Sequence, residues 1–283
     1  MITLRENLEQ ATRNEEIIAD LFDMEYYNKA SESTKRKVKR ALRMTRDRLY
    51  VSPKDGIYLP ALWIARLSEK YSITTIETKT PNGYIIITDD YTDHSPVTIN
   101  NITFNLSMPV STTADDAGRI YFNNCTFNSL VDPDDDATAS ISPLKQNKFV
   151  SCRFNYFIRI DMNGFSTGSA TFDKCVFDQC DLRISYNHAN GKYIRDIRDI
   201  DAEDLEGESY DKLLGMAFST IGKGNKFYYC KAMVYDAPWD NQAKYSIKFI
   251  HGDPDEELTN SERRRIAYDY QFADGAVYIL RQP

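Results

Sequence analysis

Phe122-Asn123-Asn124-Cys125-Thr126-Phe127 is followed by Phe149-Val150-Ser151-Cys152-Arg153-Phe154 and by Phe172-Asp173-Lys174-Cys175-Val176-Phe177. Three occurrences of one six-residue pattern, Phe-x-x-Cys-x-Phe, mark an internal repeat. With the identities relaxed, the pattern extends upstream to Ile99-Asn100-Asn101-Ile102-Thr103-Phe104 and downstream to Phe227-Tyr228-Tyr229-Cys230-Lys231-Ala232. The central positions 102, 125, 152, 175 and 230 are separated by steps of 23, 27, 23 and 55 residues. A step of that size is one unit of a solenoid, which buries its apolar face only by stacking on its neighbours. The last step holds two units or one unit with an insertion. The charged stretch 190–214 favours an excursion from the stack.

Within each motif the Cys and the closing Phe are two apart and share one side of a strand. The residue between them is mostly polar, as at Thr126, Arg153 and Lys231, which is the alternation of a half-buried strand. The opening Phe lies three before the Cys, so both face inward only if the chain bends between them. Asn123 and Asn124 tolerate such a bend. The reading is a mainly β chain built on a right-handed parallel β-helix, clearest from Ile99 to Ala232. It divides into a helical N-terminal region over residues 1–75, the β-helix over 76–250, and a small C-terminal cap or contact segment over 251–283. A pentapeptide-repeat β-helix needs a sustained five-residue period, which only Phe172 to Asp181 approaches.

The motif resembles the rungs of the pectate-lyase-like β-helix superfamily, over about half of the chain. That superfamily includes polysaccharide lyases, hydrolases and phage tailspikes. The resemblance implies a rigid solenoid and allows two kinds of work: phage virion assembly or host-protein binding, and the binding or cutting of carbohydrate. Fold alone does not choose between them.

The chain of 283 residues is 42% apolar, with 19 Tyr and 14 Phe against 12 Gly and 10 Pro, a balance that leans towards strand. Its length suffices for a core without metal or disulfide. The net charge of −7 is unevenly spread. Acidic clusters at Asp132 to Asp136, Asp201 to Asp211 and Asp253 to Glu257 contrast with a basic block from Lys35 to Arg48. Each cluster is first of all a solvated surface. No run reaches 18 uncharged apolar residues, and Met1 to Glu6 lack a basic segment leading into an apolar one. The expectation is a protein of the host cytoplasm or a virion, with no signal peptide and no membrane contact.

Cys125, Cys152, Cys175 and Cys230 share one motif position and form an interior ladder of small apolar side chains, with Cys180 outside it. Stacked rungs lie about 4.8 Å apart, but their inward side chains run parallel, which disfavours disulfides. His94, His188 and His251 are scattered and no Cys-x-x-Cys pair is present, so no zinc site is expected. No motif implies a cofactor.

Residues 3–49 read as helix, turn, helix. Leu4, Leu8, Ala11, Ile17, Ile18, Leu21 and Phe22 recur at near-helical spacing beside an acidic face of Glu15, Glu16, Asp20, Asp23 and Glu25. Ser31 or Ser33 caps a second helix, with Val38, Ala41, Leu42, Thr45 and Leu49 on its apolar face. The surrounding cations can meet the acidic first helix, an acidic neighbouring subunit, or phosphate. Arg36, Lys39, Arg40 and Arg43, together with Tyr26, Tyr27 and Arg264, are the candidate partner-binding residues, since Arg and Tyr favour protein contacts. A protein partner or a homo-oligomer is favoured over nucleic acid at Lys35 to Arg48, because the remaining chain is acidic and carries no accompanying nucleic-acid motif. Pro60 opens a third helix, expected to cover an end of the β-helix. Tyr84 to Ile87 reads as the first rung; Tyr245 to Ile250 and Ala276 to Leu280 read as strands, with a short helix starting at Asn260 or Ser261.

A glycan-cutting β-helix sets carboxylates, or a carboxylate with a cation, on neighbouring rungs. Asp161 with Arg159, Asp178 with Asp181 and Arg183, and His188 are the candidates by position. Solvated strands carry such residues anyway. No paired-Asp, Gly-His-Gly, Walker A, Rossmann, Gly-x-Ser-x-Gly or His-Glu-x-x-His pattern supports a catalytic reading. The sequence leans to a non-enzymatic structural or interaction protein. Carbohydrate recognition is the alternative, and an acidic inhibitor of a nucleic-acid-binding protein is the second.

Overall fold

The bend that the motif requires is made by one backbone conformation. In the computed structural model the residue before four of the five central positions is left-handed: Asn101, Asn124, Ser151 and Lys174 have φ of 57°, 52°, 53° and 55°. One such residue turns the chain sharply, and asparagine enters this region at less cost than most L-residues. The flanking pairs Ile99 and Ile102, Phe122 and Cys125, Phe149 and Cys152, and Phe172 and Cys175 are all no more than 1% exposed.

The structure describes residues 4–78, 83–88, 96–113, 119–130, 140–142, 147–161, 170–185, 225–228, 230–235, 245–251 and 275–281. They fall in two compact units, Met1–Ala139 and Ser140–Pro283. The first unit begins with α1 (Leu4–Phe22), α2 (Glu25–Asn28), α3 (Glu32–Ala41), β1 (Leu42–Met44), β2 (Arg48–Val51), β3 (Gly56–Pro60) and α4 (Ala61–Tyr71). It continues through β4 (Thr75–Thr78), β5 (Tyr84–Thr88), β6 (Val97–Asn100), β7 (Thr103–Leu106), β8 (Val110–Thr113), β9 (Ile120–Asn123) and β10 (Thr126–Ser129). Parallel pairing sorts its strands into β2-β4-β7-β10, β3-β5-β8 and β6-β9.

The second unit holds β11 (Ser140–Ser142), β12 (Lys148–Val150), β13 (Arg153–Asn155), β14 (Arg159–Asp161), β15 (Thr171–Asp173) and β16 (Val176–Asp178). After them come β17 (Asp181–Ser185), β18 (Lys226–Tyr228), β19 (Lys231–Tyr235), β20 (Tyr245–His251) and β21 (Gly275–Arg281). Here the parallel sets are β12-β15, β13-β16-β18 and β11-β14-β17-β19; β20 and β21 then add antiparallel to β19. The protein is a parallel β-solenoid with four helices among the described residues.

Aromatic rings fill the coils at the spacing of the strands themselves. Phe104 stacks on Phe127 with centroids 4.7 Å apart, Phe149 on Phe172 at 4.7 Å, and Phe154 on Phe177 at 4.9 Å, all within 7° of parallel. Strand separation in a sheet is about 4.8 Å, so in-register phenylalanines stack without distorting the ladder. Across each corner the contact is edge-on, as for Phe122 and Phe127 at 5.6 Å and 70°. On the outer side asparagines repeat the register, with Asn123, Asn124 and Asn128 donating to Asn100, Asn101 and Asn105 at 3.1, 2.7 and 2.8 Å.

Several expectations change. The second helix stops at Ala41, and residues up to Leu49 are not helical. Leu42, Met44, Leu49 and Val51 are buried while Arg43 and Arg48 are exposed, and this period of two forms the antiparallel hairpin β1-β2. Tyr84 does not open the first rung, because β5 lies on β3 in parallel register. Of the two serines, Ser31 is the cap, accepting from the Thr34 amide at 3.2 Å. α4 stands between β3 and β4, where the next coil carries β6, and it packs on β6. It thus covers the end of that sheet, as expected of the helix after Pro60.

The long step between motifs is an insertion and not an extra rung. β16 pairs directly with β18 and β17 with β19, so residues 186–224, all outside the described segments, fall between the strands of successive coils. The last motif also stacks one corner later than its spelling suggests. Phe227 pairs with Phe177, and the Cys230 thiol donates to the Phe177 carbonyl at 3.4 Å. Cys230 therefore follows Cys180, which belongs to a second ladder at the corner Phe177-Asp178-Gln179-Cys180. That corner has its own left-handed residue, Gln179 at φ 52°. Beyond Phe172 and Cys175, where a further strand would pair, Asn225 substitutes with its side chain. Its Oδ1 accepts from the Cys175 amide at 2.9 Å and its Nδ2 donates to the Phe172 carbonyl at 2.7 Å. The 190–214 excursion and the helix at 259–265 lie outside the described residues.

The left-handed corner gives a stability test at Lys174, whose side chain is exposed. Lys174→Val, β-branched at positive φ, is expected to lower the unfolding free energy by about 1–2 kcal/mol. Lys174→Gly is expected to cost nothing, because relief of the left-handed strain offsets the glycine entropy. Urea unfolding followed by circular dichroism checks both.

Candidate functional site

The basic block becomes a surface because α3 has little to bury. Val38 is its one buried residue, and Arg36, Lys37, Lys39 and Arg40 are all exposed. β1 continues the surface: Leu42 and Met44 point inward and Arg43 outward. Among the described residues the ion pairs of this block are Lys35 with Glu32 at 3.5 Å and Arg48 with Asp47 at 3.9 Å and Glu77 at 3.0 Å. Arg36, Lys37, Lys39, Arg40, Arg43 and Arg46 have no carboxylate within that range among them.

The acidic first helix does not neutralise this surface. α1 is held on α4 instead: the Trp63 indole donates to the Ile17 carbonyl at 3.2 Å, and Lys70 meets Asp20 at 3.2 Å. The Arg13 guanidinium donates to the Arg46 carbonyl at 3.1 Å and to the Tyr71 carbonyl at the end of α4, where a cation also meets the negative end of the helix dipole. The outward residues of α1 include Leu8, 69% exposed, with Glu15 and Glu16, and Asp23 follows directly after the helix. No ion pair joins α1 to α3 among the described residues.

The tyrosine pair divides. Tyr27 is 1% exposed, donates its hydroxyl to the Tyr58 carbonyl, and packs edge-on against Phe22. Its ring is thus committed to the core and unavailable to a partner. Tyr26 is 38% exposed and stacks on Tyr58 at 5.3 Å. Tyr84, 44% exposed, lies over Gly56, filling the space a Cβ there would need. Burial, and then the hydroxyls of Tyr58 and Tyr84, push the Tyr26 phenol above its ordinary range. Tyr26, Tyr58 and Tyr84 form one outer aromatic cluster. The sequence reading missed the last two; the signal was the pairing of a bare glycine in one strand with a tyrosine in the next. Arg264 lies outside the described residues.

Two of the three carboxylates considered for catalysis are held by cations. Asp161 is 3% exposed and receives Arg159 at 3.0 Å, while Asp178 receives Arg153 at 2.8 Å. Asp161 pairs in register with Arg183 of the next coil. Asp181 is exposed on β17, across the Gln179 corner from Asp178 on β16. This places Asp161 and Arg183 together and sets Asp178 on a different sheet. Among the described residues no group of three His, Cys, Asp or Glu could hold a metal ion. His94, His188 and the three acidic clusters lie outside them. No helix among them is long and apolar enough to cross a membrane.

All five cysteines are buried as thiols. Cys125, Cys175 and Cys180 each donate to a carbonyl 26 residues earlier, at 3.4–3.5 Å. Burial, then the adjacent Cys230 thiol, holds Cys180 well above the usual thiol range.

No family model matches the chain, and neither the curated proteins nor the solved structures contain a significant match to it. The likeness to pectate-lyase-like rungs therefore extends as far as the parallel β-solenoid.

A thiol assay reads the burial directly. The native protein is expected to react slowly or not at all with an aromatic disulfide reagent, and at five sites once unfolded in guanidinium chloride. Because the folded Cys180 thiol keeps its proton where the unfolded one ionises, its contribution to stability is complete below the ordinary thiol range and is lost as pH rises through it. The thermal midpoint should fall with pH there, and less steeply in Cys180→Ala.

Proposed function

We propose that this protein is a non-enzymatic interaction protein, in which a rigid β-solenoid presents its N-terminal helical region to a protein partner. The observation that carries the reading is the α3–β1 surface, where Arg36, Lys39, Arg40 and Arg43 are exposed and unmatched by carboxylates among the described residues. Holding like charges together on one face costs self-repulsion, and an acidic partner relieves it. The ion-paired state of Asp161 and Asp178 supports a structural use of those groups. Protein is favoured over nucleic acid because the chain carries a net charge of −7, which opposes a long polyanion beyond the basic face.

The test is capture from the source organism with the full chain as bait, beside Arg36→Glu/Arg40→Glu/Arg43→Glu. A partner retained by the native chain at low salt and lost with the charge-reversed variant is expected. Equal retention by both would remove the α3–β1 surface from the function.

Carbohydrate recognition has one observation of its own. Tyr26, Tyr58 and Tyr84 offer ring faces and hydroxyls on the outside of a regular sheet, a composition suited to sugar rings, which present C–H faces and hydroxyls. Affinity electrophoresis in neutral polysaccharides should retard the native chain and leave Tyr84→Ala unretarded. Identical mobility of the two in every glycan would sink this reading.

A further inference from the structure

We infer that the acidic outer face of α1 in one copy docks on the cationic α3–β1 surface of a second copy of this chain. The inference rests on the interaction role assigned to α3–β1 and adds the identity of its occupant. Three observations within the first unit lead to it.

The first is that the chain makes both halves of a charge-complementary contact and, among the described residues, joins them by no ion pair. Glu15 and Glu16 of α1, Asp23 just after it, and Arg36, Lys39, Arg40 and Arg43 of α3–β1 are all exposed. Within the chain α1 spends its ion pairs elsewhere, Asp20 on Lys70 and Glu9 on Arg5.

The second is geometry along each helix. At 3.6 residues per turn Leu8, Thr12, Glu15, Ala19 and Asp23 fall on one stripe, and all five are exposed. Opposite them Ile17, Ile18 and Leu21 are buried against the body of the unit. On α3 the residues Arg36, Lys39 and Arg40 lie together, opposite the buried Val38. Each helix is therefore anchored by one face and presents the other, carboxylates on α1 and cations on α3.

The third is the apolar content of the α1 stripe. Leu8 is 69% exposed, the highest value among the large exposed apolar residues of the described segments. A purely solvated acidic face gains nothing from a leucine there. A helix contact does, and the aliphatic stems of Arg and Lys can cover it. If α1 of each copy meets α3 of the other, two equivalent contacts close a two-fold dimer, so association stops at two copies.

Sedimentation velocity and native mass spectrometry of the full chain test this. A dimer is expected near about 0.1 M salt and a monomer near about 1 M, where screening shortens from about 10 Å to about 3 Å. Glu15→Lys/Glu16→Lys/Asp23→Lys and, separately, Arg36→Glu/Arg40→Glu/Arg43→Glu should each weaken self-association at least about tenfold. All six positions are exposed, and circular dichroism shows whether each variant keeps its fold. Mixed together, the two variants should restore a dimer containing one of each, because both helix pairs are complementary again. A chain that stays monomeric at all salts, or variants that associate as the native chain does, would overturn the inference; so would a mixture that fails to recover. If the native chain is monomeric while reversal of α3 still abolishes capture of a foreign partner, the interaction role stands and only its occupant has been misassigned.

Discussion

Each coil has to bring the chain back one strand spacing further on, with the same side chains facing in. That requirement falls on one residue per corner. Asn101, Asn124, Ser151 and Lys174 take the left-handed conformation so that the residues on either side can both point into the core. Everything else in the stack follows from the resulting register: phenylalanines that stack ring on ring, thiols that reach the carbonyl of the coil before, and asparagines that bond to their equivalents outside. A corner that failed to turn would slip the next strand by a residue and move its apolar set to the solvent side.

After the bends at Asn124, Ser151, Lys174 and Gln179 the buried residue is cysteine, whereas Ile102 and Phe157 follow the bends at Asn101 and Tyr156. Where a thiol is present it lies against a backbone carbonyl of the coil before, at 3.4–3.5 Å for Cys125, Cys175 and Cys180. A thiol fills the volume as an apolar group while its proton finds that oxygen. The repeated spelling therefore reports packing. The consequence for function is that chemistry and recognition must lie on the outward positions and on the elements that close the coils.

The solenoid was legible because its period is written in large aromatic residues at fixed offsets. Three features were not. The strands of the β1-β2 hairpin are only three and four residues long, and Val38, Leu42 and Leu49 mimic a helical stripe when the turn at Asp47 is unseen. The register of Phe227 and Cys230 was misread because Phe-x-x-Cys occurs at two corners of the coil, and spelling does not say which. Tyr58 and Tyr84 were missed because their meeting depends on strand pairing across 26 residues, with Gly56 leaving room. What was legible of the candidate site was its charge, since Arg36, Lys39, Arg40 and Arg43 are exposed for the same reason they were conspicuous. Tyr27 was read as surface from its neighbour Tyr26, although adjacent residues on a helix point about 100° apart.

Asn225 shows how such a stack grows. By accepting from one amide and donating to one carbonyl, a single carboxamide does for that sheet what a whole strand does in the coils before it. The solenoid can then admit a long segment between two of its strands without altering the pitch of the others. Chain length has become independent of coil geometry at that corner. A longer or shorter segment at that corner leaves the paired strands on either side in the same register.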